Sequence, residues 1–439
     1  MSSLNSPIIS QVRFLQRQVA TLLLYQDIFD HEIGQAFLYL LETFHHSESS
    51  ILNCLKAYGS WFQVQAKYQQ SWQEHLITQI LRADNPFTQQ AQQTSLEQLP
   101  PVLIEAAKQD LKILQSLYQY NGEKISHWLR TVAQLSENPI IWQPQPEPLE
   151  KIQELPLRNK FKTLENWSEA LESLANHYHK FGTGLFAQAD AFRWQNGKLL
   201  TINHPDPVHL SQLIGYENQR DLLLKNTEIL LAGYPALNVL LYGSRGSGKS
   251  SLIKSLLHEY SDRGLRLIEV AKSDLKDLPL VVEQLRGVPQ KFIIFVDDLS
   301  FEEDDDAFKA LKVVLEGNLT ARPQNVIVYA TSNRRHLIRE YFEDRPSPKD
   351  QDEVHVWDTV QEKLSFSDRF GLTLTFPPAD QNTYLNMVRH LASQGGIKIS
   401  PEDLQFRALQ WATRHNGRSG RTARQFIDFL TAELAVFGK

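Results

Sequence analysis

Residues 238–250 read Asn238-Val-Leu-Leu-Tyr-Gly-Ser-Arg-Gly-Ser-Gly-Lys-Ser250, and Ser251-Leu-Ile-Lys-Ser-Leu-Leu257 follows. An apolar run of strand character enters a glycine-rich turn and leaves as a segment of helical spacing. Glycine lacks the Cβ that would stop backbone N–H groups turning inward, and a helix opening there aims its positive end at the same point. Such a cradle suits phosphate. Gly243, Ser244, Arg245, Gly246, Ser247, Gly248, Lys249, Ser250 and Ser251 are therefore expected to bind ATP or ADP. Within them Lys249 reaches the β- and γ-phosphates and Ser250 ligates Mg2+.

A second apolar strand, Lys291-Phe-Ile-Ile-Phe-Val-Asp297-Asp298, ends in two carboxylates and is expected beside the phosphate-loop strand. Asp297 is placed to hold Mg2+ through water, and Asp298 to orient and deprotonate an attacking water. The acidic run Glu302, Glu303, Asp304, Asp305, Asp306 reads first as a solvated segment, with a docking site for a basic partner or a helper in water activation as the other readings. A third strand, Asn325-Val-Ile-Val-Tyr-Ala-Thr-Ser-Asn333, ends in polar residues, and Asn333 is the expected γ-phosphate sensor. Arg334-Arg335-His336 then offers a contact for a neighbouring subunit, a partner or nucleic acid, or an exposed solvated cluster. His336 has no neighbouring ligands that would make it a metal site.

Two arginines complete the set. Arg369, in Ser365-Phe-Ser-Asp-Arg-Phe-Gly371, is read as a guanidinium crossing a subunit interface to a γ-phosphate, against a structural salt bridge with Asp368 or another acid. Arg421, in Gly417-Arg-Ser-Gly-Arg-Thr-Ala-Arg-Gln-Phe426, opens a helix and is expected at the nucleotide, with Arg418 and Arg424 as rivals.

Phosphate loop, Asp-Asp strand, strand-end Asn, Ser-Asp-Arg-Phe and Gly-Arg, in this order, resemble the AAA+ ATPases over roughly residues 210–439. Leu213-Ile-Gly-Tyr-Glu-Asn-Gln219 is similar to the segment that packs near adenine in that family, which implies Ile214 and Gly215 as nucleotide contacts. Phe295-Val-Asp-Asp-Leu-Ser-Phe-Glu302, Tyr329-Ala-Thr-Ser-Asn-Arg-Arg-His-Leu337 and Ser367-Asp-Arg-Phe-Gly371 resemble more closely a bacterial AAA+ group, domain of unknown function 815, from near Phe181 to the end. The resemblance implies ATP binding and hydrolysis, and names no biological task. Most AAA+ motors carry Asp-Glu where this chain has Asp297-Asp298. The shorter acid sits about one methylene farther from the water, which favours slow turnover or a nucleotide-gated switch. No aromatic-Gly pore loop of the unfolding machines is present.

Around this core the chain of 439 residues divides into more than one domain, because a single core rarely grows that large. Residues 1–138, rich in Gln and aromatics with apolar residues at helical spacing, read as a helical bundle. Pro100-Pro101 opens one of its helices. Residues 139–204 form a proline-rich linker (Pro144, Pro146, Pro148) and a helical connector from Lys160 to Lys180. Residues 205–378 alternate β-rich runs with helices, which predicts an α/β core with a parallel sheet. Residues 379–439 read as a lid of three or four helices. Trp61, Phe62 and Trp72 read as core, and Cys54 as a packed thiol.

The balance of 45 basic and 51 acidic side chains, a formal charge of -6, gives no global attraction to nucleic acid or anionic lipid. Nothing resembles a secretion signal at Met1 to Arg13, and the apolar runs are too short to cross a membrane, so the cytoplasm is the expected compartment. The leading expectation is an ATPase that acts as a homo-oligomer on an unknown protein or nucleic-acid partner. An ATP-gated binding module is the second. A small-molecule kinase, needing an acceptor pocket and no interface arginine, is the third.

Overall fold

The computed structural model describes residues 5–44, 48–144, 154–301, 306–316, 323–333, 369–415 and 417–438. The chain forms two compact units, Met1–Gln188 and Ala189–Lys439.

The first unit is helical, as its periodicity predicts. Its longer helices are Asn5–Ala20, Glu32–Thr43, Glu48–Tyr68, Trp72–Arg82, Pro101–Tyr118, Gly122–Ala133 and Leu171–Phe181. Local chemistry sets their starts. Ser71 and Glu74 form a capping box, Asn85 and Thr88 another ahead of Pro86, and Pro101 occupies the first turn of its helix. Trp61, Trp72 and Cys54 are buried in one core. Leu157, Phe161, Trp167, Leu171, Leu174 and Tyr178 belong to that same core, and the Tyr25 and Tyr178 hydroxyls meet at 3.3 Å. The expected connector 139–204 is therefore divided: its helical part completes the bundle, because its apolar face is buried there. The helical segment expected from Lys160 to Lys180 consists of two helices, Leu155–Thr163 and Leu171–Phe181, with a 3-10 turn, Trp167–Ala170, between them. Pro144 lies in irregular backbone, and Pro146 and Pro148 lie outside the described residues.

The second unit carries a seven-stranded sheet: β1 (Ala191–Gln195), β2 (Lys198–Thr201), β3 (Val239–Gly243), β4 (Leu265–Val270), β5 (Lys291–Val296), β6 (Val326–Ser332) and β7 (Leu372–Phe376). Their order is β2-β1-β4-β5-β6-β3-β7. All neighbours are parallel except the β1–β2 hairpin. The architecture is a mixed α/β sheet flanked by helices. The strands β3 to β7 lie in the region expected to alternate β-rich runs with helices, and burial on both faces explains why β3, β5 and β6 read as nearly unbroken apolar runs, whereas β7, Leu-Thr-Leu-Thr-Phe, alternates. The hairpin was not expected. Its signal is Asn196-Gly197, both at positive φ, between two short β-rich runs.

One placement differs from the sequence reading. The Asp-Asp strand β5 is not beside the phosphate-loop strand β3, because β6 lies between them. In register, Val296 pairs with Ala330 and Leu241 with Thr331, so Thr331 stands between the phosphate loop and the acids.

After β7 come three described helices, Gln381–Gln394, Pro401–Arg414 and Gly420–Phe437, packed on their own core around Tyr384, Val388, Ala408 and Phe426. Ile214 and Tyr216 join that core. Among the described residues no helix is long and apolar enough to cross a membrane.

Candidate functional site

At the carboxyl ends of β3, β5 and β6 opens a cleft of about 930 Å3, walled on its far side by the lid helices. Crevices at this end of parallel strands are where α/β sheets take ligands. The phosphate loop enters it for a steric reason. A Cβ on Gly243 would collide with the Phe376 carbonyl, and Ser244 donates its N–H to that same carbonyl oxygen at 3.0 Å. Only glycine lets the chain pass β7 this closely. Gly246 and Gly248 have φ of 73° and 92°, the left-handed region that favours glycine. Gly248 is the residue ahead of helix Lys249–Tyr260, whose free N–H groups give the cleft an anion-attracting end.

Arg245, Gly246, Ser247, Gly248, Lys249, Ser250 and Ser251 all line the cleft, while Gly243 and Ser244 contribute backbone behind it. Lys249 is 6% exposed; its Nζ donates to the carbonyl oxygens of Gly243 at 3.1 Å and Ser244 at 2.8 Å, and to Asn333 Oδ1 at 3.4 Å. Burial lowers its pKa, opposed by the charges of Asp297 and Asp298. The Ser247 hydroxyl is buried with no hydrogen-bond partner among the described residues, a donor left for a ligand.

Ser250 Oγ donates to Asp297 Oδ1 at 2.6 Å, and Thr331 Oγ1 donates to the same oxygen at 2.5 Å. Thr331 Oγ1 also accepts the Asp298 N–H at 2.9 Å. Asp298 sits at φ 50°, uncommon for a residue with a Cβ, and its Oδ1 accepts from Asn333 Nδ2 at 2.6 Å. The structure thus brings Lys249, Ser250, Asp297, Asp298 and Asn333 into one hydrogen-bonded circuit. Thr331 is the member that the sequence reading passed over, since its part depends on β6 lying between β5 and β3.

The residues fit an anion and a divalent cation together. An unpaired hydroxyl, a lysine ammonium and a helix N-terminus face one volume, which suits phosphate. Ser250 and Asp297 offer adjacent oxygen ligands, the donor type that Mg2+ prefers. Among the described residues no cluster of three His, Cys, Asp or Glu could hold a metal alone, so phosphate oxygens and water would supply the other ligands.

Ile214 lines the cleft beside Leu213, Met387 and Leu391. Gly215, at φ 94°, is where a Cβ would come within 2.8 Å of both Met387 and Thr383 in the lid. Arg421 and Arg424 line the cleft and Arg418 does not. Arg421 donates its backbone N–H to the Gly246 carbonyl at 3.1 Å, Arg424 bonds Gln212 Oε1 at 3.1 Å, and Arg418 is held by Gln381 Oε1 at 3.0 Å. Arg369 is partly buried and is not among the residues lining the cleft. Glu302, Glu303, Asp304 and Asp305, the basic cluster Arg334-Arg335-His336, and Ser365 to Asp368 lie outside the described residues, as does the side chain of Asp306.

Comparison with proteins of curated function finds no match. Among solved structures, a point mutant of Thermotoga maritima RuvB is 16% identical, with 53% of this chain and 67% of that chain covered and a TM-score of 0.38. The Thermotoga maritima RuvB Holliday junction branch migration motor is 14% identical, covering 51% and 72%, with a TM-score of 0.30. AMPPCP-bound DnaA from Aquifex aeolicus is 16% identical, covering 53% and 67%, with a TM-score of 0.35. A family model described as "Protein of unknown function (DUF815)" matches residues 187–434, more than half of the chain and nearly all of its second unit. The chain is a member of that family, DUF815.

Proposed function

We propose that the second unit is an AAA+ nucleotide-binding engine that takes Mg-ATP and hydrolyses it in a homo-oligomer, driving a conformational change on a protein or nucleic-acid partner. The observation that carries this reading is the circuit linking Lys249, Ser250, Asp297, Asp298 and Asn333 in one cleft under a lid. Lys249 exchanges its two backbone carbonyls for phosphate oxygens, and the loop N–H groups and the Ser247 hydroxyl complete the cradle. Ser250 and Asp297 would hold Mg2+, which neutralises phosphate charge. Asp298 orients and deprotonates the attacking water, and Asn333, bonded to both Lys249 and Asp298, relays the presence of a γ-phosphate. Ile214 and Gly215 flank the base, and Arg421 reaches the nucleotide from the lid. Arg369, outside its own cleft, serves the neighbour's γ-phosphate.

A second reading, an ATP-gated switch with little intrinsic hydrolysis, draws on one observation. Asp298 is the shorter acid and its carboxylate is tied to Asn333 at 2.6 Å, a bond that must be released before the acid can take a proton from water.

Phosphate release from ATP across a protein concentration series, with Asp298→Asn and Arg369→Ala alongside, separates the two. The shared-site ATPase gives specific activity that rises with concentration and is lost in both variants, while nucleotide binding is retained. Turnover that survives Arg369→Ala rules out the shared site, and binding without turnover in the unaltered protein selects the switch.

A further inference from the structure

We infer that Thr331 is the positioning residue of this site: one hydroxyl that sets the metal-holding carboxylate and the water-activating carboxylate relative to each other. The inference rests on the Mg-ATP reading above.

A hydroxyl has one proton to give and lone pairs to receive, and Thr331 uses both. It donates to Asp297 Oδ1 and accepts the Asp298 N–H. Thr331 is 2% exposed and is the penultimate residue of β6, still held in the sheet by pairing with Leu241 of β3. Its side chain is β-branched, which restricts χ1. The hydroxyl is therefore a rigid peg driven from the sheet, whereas Ser250 and Asn333 lie on a loop-fed helix and at a strand end.

Two consequences follow from this peg. The Asp297 oxygen already accepts from Thr331, so it stays oriented toward Ser250 even when the Ser250 hydroxyl turns to another ligand. The Asp298 N–H, drawn to Thr331, holds that residue in the left-handed conformation at φ 50°, and this conformation directs its carboxylate to Asn333. Removing the hydroxyl frees both acids at once. Partners of this kind, one bond removed from a metal ligand, typically change metal affinity or activity by about 10- to 100-fold.

The test compares Thr331→Val, nearly isosteric but without the hydroxyl, with Thr331→Ser, which keeps it. Affinity for a fluorescent ATP analogue is measured in EDTA and in Mg2+, together with phosphate release and thermal midpoint. Expected for Thr331→Val is unchanged affinity in EDTA, within about 2-fold, with the gain conferred by Mg2+ reduced about 10-fold and any turnover reduced at least as much. Thr331→Ser retains both within about 3-fold. A Thr331→Val protein that keeps the full Mg2+ gain overturns the inference, as does a Thr331→Ser protein as impaired as Thr331→Val, because packing of the γ-methyl would then be the cause. An unaltered protein that binds no nucleotide overturns the Mg-ATP reading itself, and this inference with it.

Discussion

Two carboxylates show how differently the two units use polar groups. Asp110, fully buried in the helical unit, accepts the backbone N–H groups of Leu23, Leu24 and Tyr25 at 2.7 to 3.1 Å. Asp297 in the sheet unit is exposed and, among the described residues, accepts from the hydroxyls of Ser250 and Thr331. Backbone donors cannot leave without unfolding the turn they belong to, whereas hydroxyls rotate and can serve another ligand. The helical unit consumes its polar groups in holding a chain reversal. The sheet unit gathers them at a cleft where they remain exchangeable, and this is what marks it as the working half.

The sharpest way to break that contrast is Lys249→Ala. Two charge-assisted bonds to phosphate would be lost, each worth about 1.5 to 3 kcal/mol, so ATP affinity should fall by about 100-fold or more. Stability should hardly move, because burial already disfavours the charge of Lys249 in the folded protein, so removing it relieves a desolvation cost. Calorimetry for binding and a thermal midpoint within about 3 °C of the parent would agree with this. A variant that binds as before would place the phosphate site elsewhere; one that unfolds would make Lys249 structural, like Asp110.

The converse test lies in the helical unit. His75 is fully buried, its ring against Trp72 and 5.0 Å from that of His31, and a hydrogen bond to the Ile28 backbone opposes, without offsetting, the cost of burying its charged form. Burial, with His31 beside it, pushes its pKa down to about 3. The unfolded chain binds a proton near pH 6.5 that the folded protein refuses, so His75 contributes full stability above that pH and loses it as pH falls toward 3. Between pH 7 and 5 the loss amounts to about 2 kcal/mol. His75→Phe should remove that acid sensitivity and leave ATP affinity unchanged, as read by denaturant midpoints at both pH values. An undiminished pH dependence would assign the acid sensitivity to other groups.

Much of this was legible in the sequence, for a physical reason. The loop at 243–250, the strand ending in Asp297 and the strand ending in Asn333 are local: glycine spacing and apolar runs dictate their backbone wherever the chain goes. What depends on neighbours in space was not legible. Strand order put β6 between β5 and β3, which moved Thr331 from bystander to hub. The apolar face of residues 155–181 could not reveal that it completes the first bundle, since its partners, such as Tyr25, lie far away in sequence. The hairpin β1–β2 is short and adds one edge to the sheet, and only its Asn-Gly turn announces it. Arg421, Arg418 and Arg424, three apart along one segment, were equivalent in sequence, and the cleft separates them.

That separation gives the smallest effects and the finest test of where the working half ends. Arg421 lines the cleft, exposed, with its backbone hydrogen-bonded to the phosphate loop, so Arg421→Ala should weaken ATP binding by about 10-fold, one charge-assisted bond. Arg424 also lines the cleft but is engaged with Gln212, so its loss acts through that side chain and should cost about 3-fold, less than one such bond. Arg418 is exposed and held by Gln381 outside the cleft. Substituting it with Ala removes only a surface contact and should leave affinity within about 2-fold. Titration of the three variants with an ATP analogue ranks them. If Arg418→Ala weakened binding as much as Arg421→Ala, the lid would have to rotate on binding far enough to bring Arg418 to the nucleotide, and the reach of the exchangeable polar groups would extend beyond the cleft as it stands.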